Sequence, residues 1–153
     1  MHQINPKPSA LAEWYTLIYE AQEVSGHYFN DCVQHYLVIT LDHAMNDSEL
    51  CHRSLTTGFL EAFSPLTFNK GQQLRLVGDE CLILAGLFPD NLIKKGMSLN
   101  YIIELGLKAY YTISANHSKT HDPDLYRQLS SSFVGLLDIL HYTRHLNNTH
   151  NLF

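Results

Sequence analysis

Two short motifs each place a histidine three residues after a carboxylate. Glu49 precedes His52, and Asp138 precedes His141. Residues three apart on a helix project from one face, and bundles that hold two metal ions use such motifs on two of their helices. The pattern fits a carboxylate-bridged site for iron, manganese or zinc. Because ten histidines in 153 residues make this spacing common by chance, the metal site is kept as an alternative interpretation.

A second group of candidate residues comprises Asp79, Tyr101, Tyr110 and Asp138, all within or beside apolar segments. A buried carboxylate needs hydrogen-bond donors, and tyrosine hydroxyls can supply them. Arg75 stands four residues before Asp79, so the two can also pair on one helix face. The group is either a polar tie that fixes how three helices cross, which we favour, or the polar end of a small-molecule pocket between helices.

The sequence carries no signature of nucleophilic or phosphate chemistry. It contains no G-x-S-x-G, no G-x-G-x-x-G, no phosphate-binding loop and no H-E-x-x-H. Cys81 lies beside Glu80 and apolar residues, a setting that raises the pKa of a thiol instead of activating it. We therefore expect a non-enzymatic protein, and we predict no cofactor outside the metal alternative.

The charge balance restricts the kind of partner. The formal net charge is −5 with neutral histidines, and no basic cluster is larger than the pair Lys94-Lys95. Nucleic-acid binding needs a basic face, so we predict no nucleic-acid partner. Apolar residues make up 45% of the chain and charged residues only 16%. This balance indicates either a compact core or an apolar surface that a partner covers.

Cysteine usage and the first residues indicate the compartment. Three cysteines without a C-x-x-C motif are typical of reduced thiols in a reducing compartment. The N-terminal segment lacks the basic and apolar regions of a signal peptide. The longest apolar run, residues 82–88, is far shorter than the roughly 20 residues that span a bilayer. We expect a cytoplasmic protein with no membrane span.

The segment at residues 74–88 must position these groups. It is apolar on nearly every side, which predicts the buried central helix of the domain. Pro89 ends it, because the residue before a proline is disfavoured in the helical conformation. Gly78 and Gly86 in this helix and Gly106 in the next each cost about 1 kcal/mol relative to alanine. Small residues on both helices predict a close crossing between them.

Helical periodicity recurs along the whole chain and predicts an all-α, single-domain bundle of about six helices. Ser9, Asn30, Ser98 and Asp122 stand where N-caps are expected. We predict a flexible arm over residues 1–8, one helical domain over 9–147 and a flexible tail over 148–153. The predicted helices cover approximately residues 9–24, 31–44, 49–63, 74–88, 99–113 and 123–145.

The run GDECLILAGLFP, followed by YIIELGLKAY and later by LLDIL, resembles an uncharacterised family of bacterial helical proteins. The resemblance spans most of the chain and implies a bacterial, helical, cytoplasmic protein, but it brings no activity with it. The positions that carry it are Gly78, Asp79, Gly86, Phe88, Pro89, Tyr101, Gly106, Ala109, Tyr110 and Asp138.

Together these features favour a non-enzymatic interaction or regulatory protein. Its partner would be another protein or a second copy of the chain in a homodimer. The alternative is a helical bundle that binds a metal or a small ligand through one of the two residue groups above.

Overall fold

The structure is a computed structural model that describes residues 9–46, 70–116 and 121–150. Within these ranges it is a single bundle of seven helices without a strand, which confirms the predicted all-α class. The helices are α1 (Ser9–Ser25), α2 (Asp31–Met45), α3 (Lys70–Leu87), α4 (Pro89–Lys94), α5 (Leu99–Ala115), α6 (Pro123–Ser131) and α7 (Phe133–His150).

Helix α3 is the central element, as its apolar composition predicts. It packs against α2, α4, α5 and α7, and its last eight residues, 80–87, are all buried. It begins at Lys70, four residues before the predicted start, and ends at Leu87, two residues before Pro89. Pro89 opens the short helix α4 at its first position. A proline is well suited to that position, because its missing N–H would have no intrahelical partner there.

Side-chain caps fix where three of the other helices begin. The Asn30 side chain accepts a hydrogen bond from the Val33 amide at 3.0 Å, and the Ser98 hydroxyl accepts one from the Tyr101 amide at 3.3 Å. Asp122 accepts from the Asp124 amide at 3.0 Å. Each bond satisfies an amide that has no carbonyl partner in the first turn, so these starts were readable from the sequence.

Of the three predicted glycine positions, Gly86 lies against Leu140 of α7, whereas Gly78 and Gly106 lie where α3 and α5 contact each other. A Cβ at Gly78 would come within 2.5 Å of the Tyr110 ring, and a Cβ at Gly106 within 2.7 Å of the Cys81 Cβ and 2.5 Å of the Phe133 ring. No real side chain tolerates these distances. Both glycines therefore serve the close packing that the sequence predicts.

The single helix predicted for residues 123–145 is instead two helices that meet at Ser132. The Ser130 hydroxyl donates to the Leu107 carbonyl of α5 at 2.9 Å, and the Ser132 amide still bonds to the Gln128 carbonyl. Serine hydroxyls compete for backbone partners and weaken a helix locally. The run of three serines was therefore the signal for the break, and the prediction missed it.

Helix α7 also continues to His150, three residues into the predicted tail. The sequence after residue 147 lacks an apolar pattern but contains no proline or glycine to stop a helix. Arg144 fastens this helix to the end of α3: its guanidinium donates to the Leu87 carbonyl and lies over the Phe88 ring.

Several predicted features lie outside the described residues. They are the arm over residues 1–8, the helix predicted at 49–63 with Glu49 and His52, and residues 151–153. None of the described helices is long and apolar enough to cross a bilayer.

Candidate functional site

Asp79, in the middle of α3, accepts two hydrogen bonds on a single carboxylate oxygen. The Tyr36 hydroxyl, from α2, donates to Oδ1 at 2.5 Å, and the Tyr110 hydroxyl, from α5, donates to the same atom at 2.7 Å. Packing holds both rings. Tyr110 is fully buried and lies against Gly78, the residue before Asp79, and the Tyr36 ring packs on the Tyr110 ring. The carboxylate thus joins three helices.

Tyr126 of α6 completes the cluster. Its ring centroid lies 5.7 Å from that of Tyr36 and 5.8 Å from that of Tyr110, and the Tyr36 and Tyr110 rings meet edge to face at 6.2 Å. Aromatic pairs favour these separations and edge contacts. Four helices, α2, α3, α5 and α6, therefore meet around one carboxylate and three tyrosines.

Burial sets the protonation behaviour of the cluster. It raises the pKa of Asp79 above its ordinary value of 3.8, against the opposing effect of the tyrosine hydrogen bonds, Arg75 and His43. Burial also raises the pKa of Tyr36 and of Tyr110 well above 10, because the charged form of each group loses its hydration. Both phenols consequently stay protonated and act as donors.

The second oxygen of Asp79 lies on a groove between α2 and α3. Arg75 Nη1 is 3.8 Å from this Oδ2, so the predicted i, i+4 pair exists. The groove has a volume of about 140 Å³, and apolar side chains, including Ile39, Leu76 and Ile83, line most of it. The carboxylate and the guanidinium thus belong to the polar part of the lining, together with Thr40, His43 and Glu80.

Two of the four predicted ligand-site residues lie elsewhere. Tyr101 is exposed at the start of α5. Asp138 is also exposed, on α7, and its Oδ2 lies 3.2 Å from His27 Nε2 in the turn between α1 and α2. The structure therefore brings together Asp79 and Tyr110 from that group and separates Tyr101 and Asp138 from them.

The metal alternative finds no complete site in the ranges that the structure describes. There, no group of three or more histidine, cysteine, aspartate or glutamate side chains is arranged to hold an ion. Asp138 pairs with His27, and the His141 ring meets the His145 ring of the same helix at 5.7 Å. The other two predicted ligands, Glu49 and His52, lie outside the described residues.

Sequence reasoning missed Tyr36 and Tyr126 as members of the cluster. Tyr36 falls on the apolar stripe of α2 and was assigned to the core, and Tyr126 carries no local motif. The available signal was chemical: three tyrosines on the inward faces of helices that flank a single carboxylate. Which hydroxyl reaches it depends on how the helices are positioned along one another, and spacing within one helix does not contain that information.

Comparison of the chain with protein-family models, curated proteins and solved structures finds no match. The resemblance to a bacterial family therefore stays a prediction. The class that the described residues define is a helical bundle with a carboxylate–tyrosine cluster beside a groove.

Proposed function

We propose that the protein is a non-enzymatic binding protein and that its ligand occupies the groove between α2 and α3. The observation that supports this proposal is the placement of Asp79 and Arg75, 3.8 Å apart, on a groove that the apolar side chains of Ile39, Leu76 and Ile83 also line. A few placed polar groups in an apolar concavity are typical of small-molecule sites. A ligand with an apolar body and one polar group matches this arrangement.

The fixed position of the Asp79 carboxylate supports the proposal. Tyr36 and Tyr110 hold Oδ1 of Asp79 from two different helices, so the other carboxylate oxygen, Oδ2, keeps its position without a ligand. A site that is ordered in advance loses less conformational entropy on binding. The groove therefore needs little rearrangement to receive a molecule.

The groove volume limits the ligand. It is about 140 Å³, close to the roughly 150 Å³ of an engineered cavity that binds benzene. The apolar part of the ligand would then be a single ring or a short chain. Larger molecules would extend from the open side of the groove into solvent.

The buried thiol of α3 supports a binding role instead of a nucleophilic one. Cys81 is fully buried against Gly106, away from the groove. Burial raises the pKa of its thiol, with a further contribution from Glu80. A thiol in that state does not form the thiolate that a cysteine nucleophile requires.

Titration with 2-phenylethanol, a one-ring neutral probe, tests the proposal. Amide shifts in ¹H–¹⁵N correlation spectra should change first around Ile39, Leu76 and Asp79. The double variant Ile39→Ser and Leu76→Ser should weaken binding by about thirtyfold, since each lost apolar contact in a pocket is worth about 1 kcal/mol. Shifts confined to other surfaces, or none at millimolar probe, would contradict the proposal.

A matched double variant controls for nonspecific apolar binding. Ile93→Ser and Val134→Ser remove two aliphatic side chains that are each 60% exposed and lie outside the groove. This variant should bind 2-phenylethanol as the unaltered protein does. Equal loss in both variants would mean that the probe binds any exposed apolar surface.

Protein interaction is the second candidate, and exposed apolar side chains favour it. Val24, Tyr28 and Val134 are 58%, 69% and 60% exposed, and the turn that contains Tyr28 contacts α7 next to Val134 through His27 and Phe29. A homodimer or a protein complex could cover this area. A mass near 17.5 kDa by light scattering at micromolar concentration would contradict the dimer.

We also infer a cytoplasmic location, which the free thiol of the exposed Cys32 supports. An exposed free thiol is stable in a reducing compartment.

A further inference from the structure

We propose that the ligand of this groove is a small amphipathic anion, a carboxylate or sulfonate on a single ring or short chain, whose charged group pairs with Arg75. This inference rests on the proposed binding function and adds the charge of the ligand. Its basis is the order in which the charged groups of the groove lie between solvent and core.

The cation of the groove is closer to solvent than its carboxylates. The Arg75 side chain is 33% exposed and that of Asp79 is 16% exposed, while Glu80 is only 6% exposed. His43, also exposed, lies on the same groove. A charged ligand that enters from solvent therefore meets the guanidinium before it meets either carboxylate, and complementary charge at that point is negative.

The guanidinium can turn toward a ligand because its contact with Asp79 is loose. Arg75 Nη1 lies 3.8 Å from Asp79 Oδ2, which is beyond the 2.7–3.2 Å of an N–H···O hydrogen bond. Arg75 Nε donates to the Gln72 side chain at 3.3 Å. Arg75 lines the groove, and its Nη1 makes no hydrogen bond to Asp79 at this distance, so the guanidinium can pair with an anionic oxygen of a ligand.

Asp79 is a poor site for a ligand cation. Two tyrosine hydroxyls already donate to Oδ1, and the Arg75 guanidinium, 3.8 Å from Oδ2, would repel a second cation there. The negative charge of Asp79 instead competes with an anionic ligand for Arg75. Removal of that charge should therefore strengthen anion binding, and removal of Arg75 should abolish the preference.

Three probes of nearly equal size test the charge: phenylacetate, 2-phenylethanol and 2-phenylethylamine. In low salt at pH 7 we expect phenylacetate to bind about fivefold more tightly than the alcohol, the upper range for an exposed ion pair, and the amine to bind most weakly. Added salt should reduce the advantage of phenylacetate but leave the alcohol unchanged, because salt screens exposed charges.

Three variants locate the effect. Arg75→Gln should make phenylacetate and 2-phenylethanol equal, and Asp79→Asn, which keeps an oxygen for both tyrosines, should strengthen phenylacetate binding. Arg127→Gln is the matched control: it removes an arginine that is ion-paired with Asp124 on α6, away from the groove, and should change nothing.

The outcomes separate the two proposals. If all three probes bind in the groove with equal affinity, or if Arg75→Gln leaves the preference for phenylacetate intact, the anion inference is overturned and the binding function stands. If none of the probes shifts groove resonances, the binding function fails and the inference fails with it. The three-probe comparison on the unaltered protein decides the question even if Arg75→Gln does not fold.

Discussion

Asp79 serves as one acceptor for two donors on different helices, and this arrangement needs an oxygen more than a charge. Tyr36 and Tyr110 both donate to Oδ1, while burial disfavours the ionised carboxylate. An amide oxygen at the same position would accept the same two bonds. The charge of Asp79 and its hydrogen bonds can therefore be separated by substitution.

Asp79→Asn and Asp79→Leu should have different effects on stability. The asparagine keeps an acceptor for Tyr36 and Tyr110, so its free energy of unfolding should stay close to that of the unaltered protein. Leucine leaves both hydroxyls without their acceptor, and each such buried group costs about 1–3 kcal/mol. Urea unfolding curves measure the difference. Equal destabilisation by both variants would contradict a role for the oxygen.

The same carboxylate predicts a pH dependence with a definite sign. Its pKa is raised on folding, so the folded protein binds this proton more tightly than the unfolded chain. The contribution of Asp79 to stability is therefore full below 3.8 and is lost as pH rises through the folded pKa. Urea unfolding between about pH 3.5 and pH 7 should show this effect: the free energy of unfolding of the unaltered protein minus that of Asp79→Asn should fall as the pH rises.

A difference that grows with pH would contradict this sign. The comparison with Asp79→Asn is needed because the other carboxylates and histidines also change protonation in this range. They contribute equally to both proteins and cancel in the difference.

At this scale the sequence predicted part of the cluster. Asp79, Tyr110 and the Arg75 pair followed from burial and from i, i+4 spacing. Tyr101 was wrongly grouped with Tyr110: nine residues at 3.6 per turn make about 2.5 turns, so the two side chains face opposite sides of α5. Tyr36 could not be assigned, because its contact depends on how α2 is placed against α3.

The crossing of α3 and α5 is the element-scale feature on which the site depends. Gly78 admits the Tyr110 ring to the surface of α3, and Gly106 admits Cys81 and Phe133 to the surface of α5. Without these gaps the helices would stand farther apart. Tyr110 would then not reach Asp79, one residue from Gly78.

Alanine at either glycine should destabilise the protein despite its better helix propensity. The added Cβ would lie 2.5 Å from the Tyr110 or Phe133 ring, and overpacking of a core costs about 1–3 kcal/mol. Gly135→Ala in α7 is the comparison, since its Cβ would lie 3.3 Å from the edge of Phe29. It should change the free energy of unfolding much less than Gly78→Ala and Gly106→Ala, as measured by urea unfolding.

If all three alanines stabilised the protein by similar amounts, helix propensity would dominate and the close crossing would be refuted. Binding of 2-phenylethanol by folded Gly78→Ala adds a second measurement. A displaced Tyr110 should no longer hold the Asp79 carboxylate in place, and the affinity for 2-phenylethanol should fall.

Three helix starts were predictable, whereas the start of α3 at Lys70 and the internal break at Ser132 were not. Asn30, Ser98 and Asp122 act through hydrogen bonds within one turn, so the local sequence contains their effect. The break at Ser132 depends on Ser130, whose hydroxyl bonds to the Leu107 carbonyl of a different helix. The serine run marks a weak point of the helix in the local sequence, but the bond to Leu107 involves a second helix and is absent from that pattern.

For the whole molecule, the all-α class followed from periodicity alone, because every core helix repeats its apolar residues at one helical spacing. Assembly does not follow from periodicity. It depends on surfaces, and the described surface holds exposed apolar side chains as different as Tyr28 on a turn and Ile93 on α4.

Association should depend strongly on pH. The formal charge is −5 with ten neutral histidines, and the sequence pI is about 6.0. Near that pH the net charge approaches zero, which promotes association and precipitation. Static light scattering should show the largest mean mass near the pI and a smaller one at higher pH. A mass that is constant with pH would contradict this expectation.

The burial of Trp14 gives the molecule a built-in spectroscopic probe. It is the single tryptophan of the chain, it is 2% exposed, and its helix α1 packs on α2 and α7 without direct involvement in the Asp79 cluster. Its emission therefore follows one side of the bundle, while circular dichroism follows all of it. Coincident transitions would show that the bundle melts as one cooperative unit; an earlier fluorescence change would show that α1 detaches first.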